Sequence, residues 1–182
     1  GQHSFLSSST QQLARTVEEI IAATIDLSSS KTGAIIVVEK QVGLGEFIET
    51  GVQMDARISS ELLRTIFKPG TPLHDMAVII RNDRIVAASV QLPLAESGSV
   101  DGVELGSRHR AALGVSAGSD ADVIVVSEET GIVSIAQHGK LIRNITEAQL
   151  RRYLTKTIED LAPITEKLLK RKKYKVQESP EQ

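Results

Sequence analysis

Short apolar runs that do not alternate with polar residues constrain the fold of this chain more than any other feature. Residues Gly33 to Glu39 read Gly-Ala-Ile-Ile-Val-Val-Glu, a β-branched run with apolar side chains at consecutive positions. A strand that is apolar on both faces has to be covered on both faces, as a central strand is when helices flank its sheet. Further strands are predicted at 76–80, 85–90, 123–126 and 132–136.

Helical periodicity occupies much of the remaining sequence. Helices are predicted over about residues 10–26, 60–67 and 105–115. Thr146 and Gln149 form a capping box before a last amphipathic helix, which Pro163 kinks or restarts. The sequence therefore predicts a single α/β domain in which helices flank a central mixed β-sheet.

Composition excludes several classes of protein. The 182 residues suffice for one domain, and the absence of cysteine excludes disulfides and thiolate metal sites. A net charge of −2 and an aromatic content of 3% argue against nucleic-acid binding. No apolar run approaches the roughly 18 residues of a membrane span, and there is no signal peptide.

The segment Gly106-Ser107-Arg108-His109-Arg110 concentrates fixed positive charge, backbone N–H groups and a hydroxyl. It lies near the first turn of a predicted helix, where unpaired amides and the helix dipole favour anions. Guanidinium groups bind phosphate oxygens in pairs, so this segment indicates a polyphosphate site. The alternative is an exposed helix start, and the histidine either orients a phosphate or packs inward.

A second segment adds carboxylate and imidazole groups. His74 and Asp75 precede a predicted strand, where a carboxylate can activate a hydroxyl and an imidazole can bind a divalent metal. Taken alone, the aspartate is more typical of a turn and the histidine of a structural residue. Ser127, Glu128 and Glu129 follow the strand 123–126, at a position where α/β sheets often build sites, although such glutamates are usually solvated.

These segments resemble the diadenylate cyclase domain, which condenses two ATP molecules into cyclic di-AMP. The family motifs Asp-Gly-Ala and Arg-His-Arg read here Asp75-Met76-Ala77 and Arg108-His109-Arg110. The likeness covers roughly residues 10–160 and has the pattern of the membrane-anchored bacterial branch. It includes residues 32–36, 48–51, 59–63, 71–75 and 126–131.

The resemblance implies a set of site residues. Catalytic roles fall to Asp75, Arg108, His109 and Arg110. ATP contacts fall to Met76, Ala77, Leu92, Gly106, Ser107, Arg108, Arg110, Ser127 and Glu128. The implied metal ligands are His74 and Glu129, for Mg²⁺ or Mn²⁺ and in some family members Co²⁺.

The resemblance also implies an assembly and a location. Two ATP-loaded domains would face each other, so a homodimer is expected for catalysis, with no nucleic-acid partner. The domain is expected in the cytoplasm of a bacterium, anchored to the cell membrane by N-terminal helices absent here, where a membrane protein regulates it. Residues 1–9 are expected to be an extension with a cloning remnant, residues 10–162 the catalytic domain, and residues 163–182 a helix end and a basic, partly disordered tail.

Met76 departs from the family pattern, which has glycine at this position. A glycine there would permit close approach of the backbone to nucleotide or a positive φ. In the second case methionine imposes strain of about 1–3 kcal/mol and displaces Asp75. This leaves two hypotheses, an active cyclase with a reshaped pocket and a weak or silent sensor of ATP or cyclic di-AMP. A third, an interaction module, does not explain the arginine cluster.

Overall fold

The computed structural model of the protein describes residues 2–161 and Arg171, with side chains described from Thr10 onward. The strands are β1 (Ala34–Val38), β2 (Val52–Arg57), β3 (Ala77–Arg81), β4 (Arg84–Val90), β5 (Ser99–Val100), β6 (Val103–Glu104), β7 (Asp122–Val126), β8 (Val133–Gln137) and β9 (Lys140–Ile142). The helices are α1 (Gln2–Ser29), α2 (Gly45–Ile48), α3 (Ser60–Phe67), α4 (Ser107–Ala117) and α5 (Glu147–Leu161).

Seven of the strands form one mixed sheet in the order β2-β4-β3-β1-β7-β8-β9. Strands β1 and β3 pair in parallel, and the other neighbours pair antiparallel. Strands β5 and β6 form a separate hairpin. The predicted mixed sheet is confirmed.

Helices cover both faces of this sheet. In β1, Ala34, Ile36 and Val38 pack into a core with residues of α1, α3 and α5. Ile35 and Val37 point to the other face, into a core with residues of α2 and α4. Every residue of β1 is buried, which is the physical reason why the run is apolar at consecutive positions.

The structure differs from the predicted elements mainly at the edges. Helix α1 begins at Gln2 rather than near residue 10, since neither glycine nor proline interrupts the chain before its end at Ser29. Strand β2 was not predicted because it is an edge strand with mostly exposed residues.

The predicted capping box before α5 is confirmed by two reciprocal bonds. Thr146 N–H donates to Gln149 Oε1 at 2.8 Å, and Gln149 N–H donates to Thr146 Oγ1 at 3.2 Å. Pro163, and residues 170–175 apart from Arg171, lie outside the described residues. Within the described part of the chain, no helix is both long and apolar enough to cross a membrane.

Candidate active site

Strand direction brings four chain segments to one edge of the sheet. The first residue of β1, Ala34, is paired with the last residue of the antiparallel β7, Val126. In the same way Ala77 at the start of β3 is paired with Val90 at the end of β4. The segments before β1 and β3 and those after β4 and β7 therefore meet at this edge.

A cavity of about 560 Å³, here called the first cavity, lies at this edge of the sheet. Its lining comes from all four segments and from the start of α4. It includes Lys31, Thr32, Gly33, His74, Asp75, Met76, Leu92, Leu94, Ser107, Arg108 and Glu128. Acidic, basic and apolar side chains thus surround one space, as a nucleotide requires.

A second cavity of about 410 Å³ adjoins the first. Three residues, Ser107, Arg108 and Glu128, line both. The lining of the second cavity also includes Glu104, Gly106, His109, Ser127, Glu129, Thr130 and Arg143. The predicted residues at the start of α4 and after β7 are therefore brought together, with Arg108 between the two spaces.

His74 and Asp75 form a polar pair at the first cavity. His74 Nδ1 lies 2.6 Å from Thr71 O and, because a carbonyl only accepts, must carry the proton of this bond. His74 Nε2 then faces Asp75 Oδ1 at 3.2 Å. In the neutral ring both of these atoms are acceptors, so the arrangement calls for a proton or a cation at this place.

This pair meets the chemical requirements of a substrate-associated divalent metal. Mg²⁺ is commonly held by one or two protein ligands, with phosphate oxygens and water completing its shell. Among the residues that the structure describes, no group of three or more His, Asp or Glu side chains could hold a metal by itself. Glu129, the other predicted ligand, lines the second cavity rather than the first.

Met76 occupies the left-handed region of the backbone. Its φ is 67°, a value that glycine adopts without strain and methionine does not. The side chain is 48% exposed and lines the first cavity. The conformation considered for the family glycine is therefore present here, with methionine occupying it.

Arg108 depends on a glycine that sequence reasoning did not single out. Its Nη1 lies 3.2 Å from Glu128 Oε2, across the junction of the two cavities. A Cβ placed on Gly33 would lie 2.3 Å from Arg108 Cζ, so only glycine leaves room for this guanidinium. In the sequence, Gly33 could have been noticed through the family likeness at residues 32–36, which includes it.

Arg110 has a different environment from Arg108. Its Nε donates to Ala95 O at 2.9 Å, while Ala95 N–H donates to Arg110 O at 2.9 Å, and it lines neither cavity. These bonds fasten the segment 93–95 to α4, and Leu94 of that segment lines the first cavity. In this structure the Arg110 side chain holds the segment 93–95 in place, and its predicted phosphate contact stays a prediction.

His109 lines the second cavity and not the first. Burial lowers the pKa of its imidazole below 6.5, and the nearby positive charges of Arg143 and Arg108 lower that pKa further. Both effects favour the neutral form of the ring. A neutral imidazole can orient a phosphate through a hydrogen bond without adding charge.

The remaining predicted residues are divided between the cavities and the core. Ser127 Oγ accepts hydrogen bonds from Glu129 N–H and Thr130 N–H, both at 3.3 Å, and so shapes the turn after β7. Leu92 is nearly buried and contributes apolar surface to the first cavity. Ala77 is fully buried among core residues and lines neither cavity, so its side chain belongs to the core.

Comparisons with known proteins identify the family of this chain. The sequence profile of the DAC family, described as DisA bacterial checkpoint controller nucleotide-binding, matches residues 21–141. The chain is 48% identical over 140 residues to the cyclic di-AMP synthase CdaA of Bacillus subtilis, covering 77% of this chain and 51% of that protein. It is 45% identical over 142 residues to a diadenylate cyclase of Listeria monocytogenes, covering 78% and 52%. The chain thus spans about half the length of these relatives.

Solved structures show the same fold. A crystal structure of DacA from Staphylococcus aureus, in a double mutant, has a TM-score of 0.75 and 42% sequence identity, covering 79% of this chain and 95% of that one. A hypothetical membrane spanning protein from Bacillus cereus has a TM-score of 0.67 and 48% identity, covering 71% and 63%. The resemblance drawn from the motifs is confirmed: the chain belongs to the DAC family of diadenylate cyclase domains.

Proposed function

We propose that this chain is the catalytic domain of a diadenylate cyclase, which converts two ATP molecules into cyclic di-AMP and two pyrophosphates. One observation carries the proposal. The first cavity brings the carboxylate of Asp75, whose side chain is 74% exposed, into the same space as the guanidinium of Arg108. A hydroxyl nucleophile and a phosphate can therefore be held in one site.

The reaction forms two phosphodiester bonds. In each, the ribose 3′-oxygen of one ATP bonds to the α-phosphorus of the other, and the bond from that phosphorus to its bridging oxygen breaks. The pyrophosphate leaves with the electron pair, and the hydroxyl proton passes to a base. Asp75 orients the 3′-hydroxyl and accepts or passes on its proton, which raises the reactivity of an otherwise poor nucleophile.

Groups at the start of α4 bind the phosphates. Arg108 and Ser107 line both cavities, so they can contact a triphosphate that extends from the first into the second. Charge-assisted hydrogen bonds to the oxygens stabilise the negative charge that moves onto the leaving group. Arg110 keeps Leu94 at the first cavity, where this side chain, Leu92 and Met76 offer apolar surface to the adenine.

His74 and Asp75 are the residues that would hold Mg²⁺ or Mn²⁺, or Co²⁺, at the first cavity. When bound, the metal neutralises part of the triphosphate charge and helps to position it. Glu129, which lines the second cavity, is proposed as a further ligand of the metal, on the side of the phosphates. Glu128, which lines both cavities, is proposed to contact ATP.

The two-fold symmetry of cyclic di-AMP requires two sites that face each other. Each domain contributes one ATP, and each 3′-oxygen lies in line with the α-phosphorus held by the partner. We infer a homodimer as the active species.

The same family supports a membrane-anchored protein. The similar structure from Bacillus cereus is titled a membrane spanning protein, and this chain spans only about half of its curated relatives. We infer that N-terminal helices anchor the full-length protein to the cell membrane and that the catalytic domain lies in the cytoplasm. A regulatory membrane protein would act on it there.

The test is to incubate the domain with ATP and Mn²⁺ and to separate the products by liquid chromatography and mass spectrometry. Asp75→Asn is expected to lower the rate of cyclic di-AMP formation by at least about a hundredfold while ATP binding by calorimetry is largely kept. Asp101→Asn is the matched control, since this carboxylate lies on the turn between β5 and β6 and lines neither cavity. Undiminished product from Asp75→Asn would refute the catalytic role.

The same assay separates the cyclase from the sensor hypothesis. The relatives matched are named as synthases and cyclases, which favours activity in the native chain. Product from the native chain establishes the enzyme. Product only from Met76→Gly, with tight ATP binding by the native chain, would show a site silenced by methionine.

A further inference from the structure

The second cavity contains a cation that the reaction described above does not use. Arg143 lines this cavity together with Ser107, Arg108 and His109, although it lies far along the sequence from α4. It directly follows β9, the last strand of the sheet. Arg143 lies outside the motif segments named above and beyond residue 141, where the match to the DAC family profile ends.

The backbone on both sides of Arg143 is held in place. Before it, Ile142 pairs with Ile135 of β8 in the antiparallel ladder. After it, Ile145 N–H donates to Val133 O at 3.0 Å, and the side chain of Ile145 is buried in the core. The guanidinium therefore extends from a fixed position, which reduces the entropy lost when it binds a ligand.

The charges around Arg143 are not balanced within the described residues. Arg108 is paired with Glu128, whereas no carboxylate oxygen of a described residue lies within 4.0 Å of the Arg143 guanidinium. His109 lies near both arginines, and because an imidazole carries no negative charge in either protonation state, it supplies no counter-charge. Glu104 and Glu129 also line the cavity and limit how much bare anion it can accept. A phosphate chain that carries a divalent metal supplies oxygens to Arg143, and its reduced net charge is compatible with the two glutamates.

We propose that Arg143 is a phosphate-binding residue that holds the β- and γ-phosphates of ATP in the second cavity and then the pyrophosphate formed from them. The inference rests on the proposed function, because it needs a nucleotide whose α-phosphate lies near Arg108. When the bond between the α-phosphorus and its bridging oxygen breaks, the electron pair stays on that oxygen. Arg143 stabilises the resulting charge on the pyrophosphate.

The test compares two nucleotides that differ in the phosphates concerned. Binding of α,β-methylene-ATP and of AMP, each with Mg²⁺, is measured by calorimetry for the native domain, Arg143→Ala and Arg143→Lys. Arg143→Ala is expected to weaken binding of the triphosphate analogue by about tenfold or more and to change AMP binding by less than about twofold. Arg143→Lys should recover part of the affinity, since it keeps the charge but loses the bidentate geometry.

Arg152→Ala is the matched control, because Arg152 is an exposed arginine on α5 that lines neither cavity. It should leave both affinities unchanged, and melting temperatures should show that all variants are folded. Equal binding of the triphosphate analogue by the native domain and Arg143→Ala overturns the role of Arg143 and leaves the cyclase proposal intact. Equal weakening of AMP and analogue also overturns it, as the residue would then act on the whole site. A native domain that binds neither nucleotide refutes the proposed function and this inference together.

Discussion

At two residues that line the first cavity, Gly33 and Met76, the backbone determines which side chain the position can accept. At Gly33 the absence of a side chain makes room for Arg108, and at Met76 a side chain is present in a conformation that glycine prefers. Neither effect is visible from hydrophobicity or charge, because both depend on the backbone. Each leads to a substitution with a defined outcome.

Gly33→Ala is expected to weaken ATP binding by about tenfold while changing stability by less than about 1 kcal/mol. The new Cβ would lie 2.3 Å from Arg108 Cζ, and a flexible guanidinium can move away at little cost to the fold. That movement takes the charge away from the phosphates. Calorimetry with ATP and chemical denaturation measure the two effects.

Gly43→Ala is the control for this substitution, since a Cβ there would meet nothing within 4 Å. It should leave ATP affinity unchanged. If Gly33→Ala binds ATP as tightly as the native domain, Arg108 does not need its present position to hold the phosphates.

At position 76, which has a positive φ, the stabilities of the methionine, valine and glycine forms can be compared. Met76→Val is expected to lower the free energy of unfolding by about 1–2 kcal/mol, because a β-branched residue is poorly accommodated at a φ of 67°. Met76→Gly should change it by less than about 1 kcal/mol, since relief of strain offsets the greater entropy of the unfolded chain. Urea denaturation provides the values, and equal stability of the valine and methionine forms would show that this backbone is not strained.

At the scale of elements, α4 is the helix that builds the site, and its packing depends on Gly114. A Cβ at Gly114 would lie 1.8 Å from Pro93 O, a backbone atom that cannot turn aside. The helix thereby approaches the segment 93–95 closely enough for Arg110 and Ala95 to exchange their hydrogen bonds. These contacts hold the segment that carries Leu94 against α4.

Gly114→Ala is expected to destabilise the protein by about 1–3 kcal/mol, although the same change inside an ordinary helix stabilises by up to about 1 kcal/mol. The reversed sign comes from the clash with the carbonyl oxygen. Thermal unfolding measures it, with Gly118→Ala as the control at the end of the same helix, where a Cβ would meet nothing within 4 Å. A stabilised Gly114→Ala variant would mean that the segment 93–95 is free to move.

For the whole molecule, the proposed face-to-face dimer predicts how activity depends on concentration. The rate of cyclic di-AMP formation per chain should fall as the domain is diluted below its dimer dissociation constant, because a lone site has no opposing α-phosphorus. ATP binding per chain should stay constant, since each cavity lies within one domain. A rate per chain that stays constant where sedimentation shows only monomer would contradict the dimer.

The apolar pattern determined much of this architecture in advance. Central strands such as Ala34–Val38 are buried on both faces, so their composition alone requires helices on both sides of a sheet. The capping box of Thr146 and Gln149 could also be predicted from the sequence, because both of its hydrogen bonds join residues only three positions apart. The edge strand β2, with its exposed residues, carried no comparable signal.

For the site, the sequence by itself determined which segments carry the chemistry: His74 and Asp75 before a strand, and Ser107 and Arg108 at the start of a helix. Only the tertiary structure decided how they meet. Antiparallel pairing of β7 with β1 and of β4 with β3 brings ends of distant strands to one edge. Contacts such as that of Gly33 with Arg108, or the approach of Arg143 to the second cavity, join residues far apart in sequence. Local sequence patterns do not predict such contacts, because the order and register of the strands determine which distant residues meet.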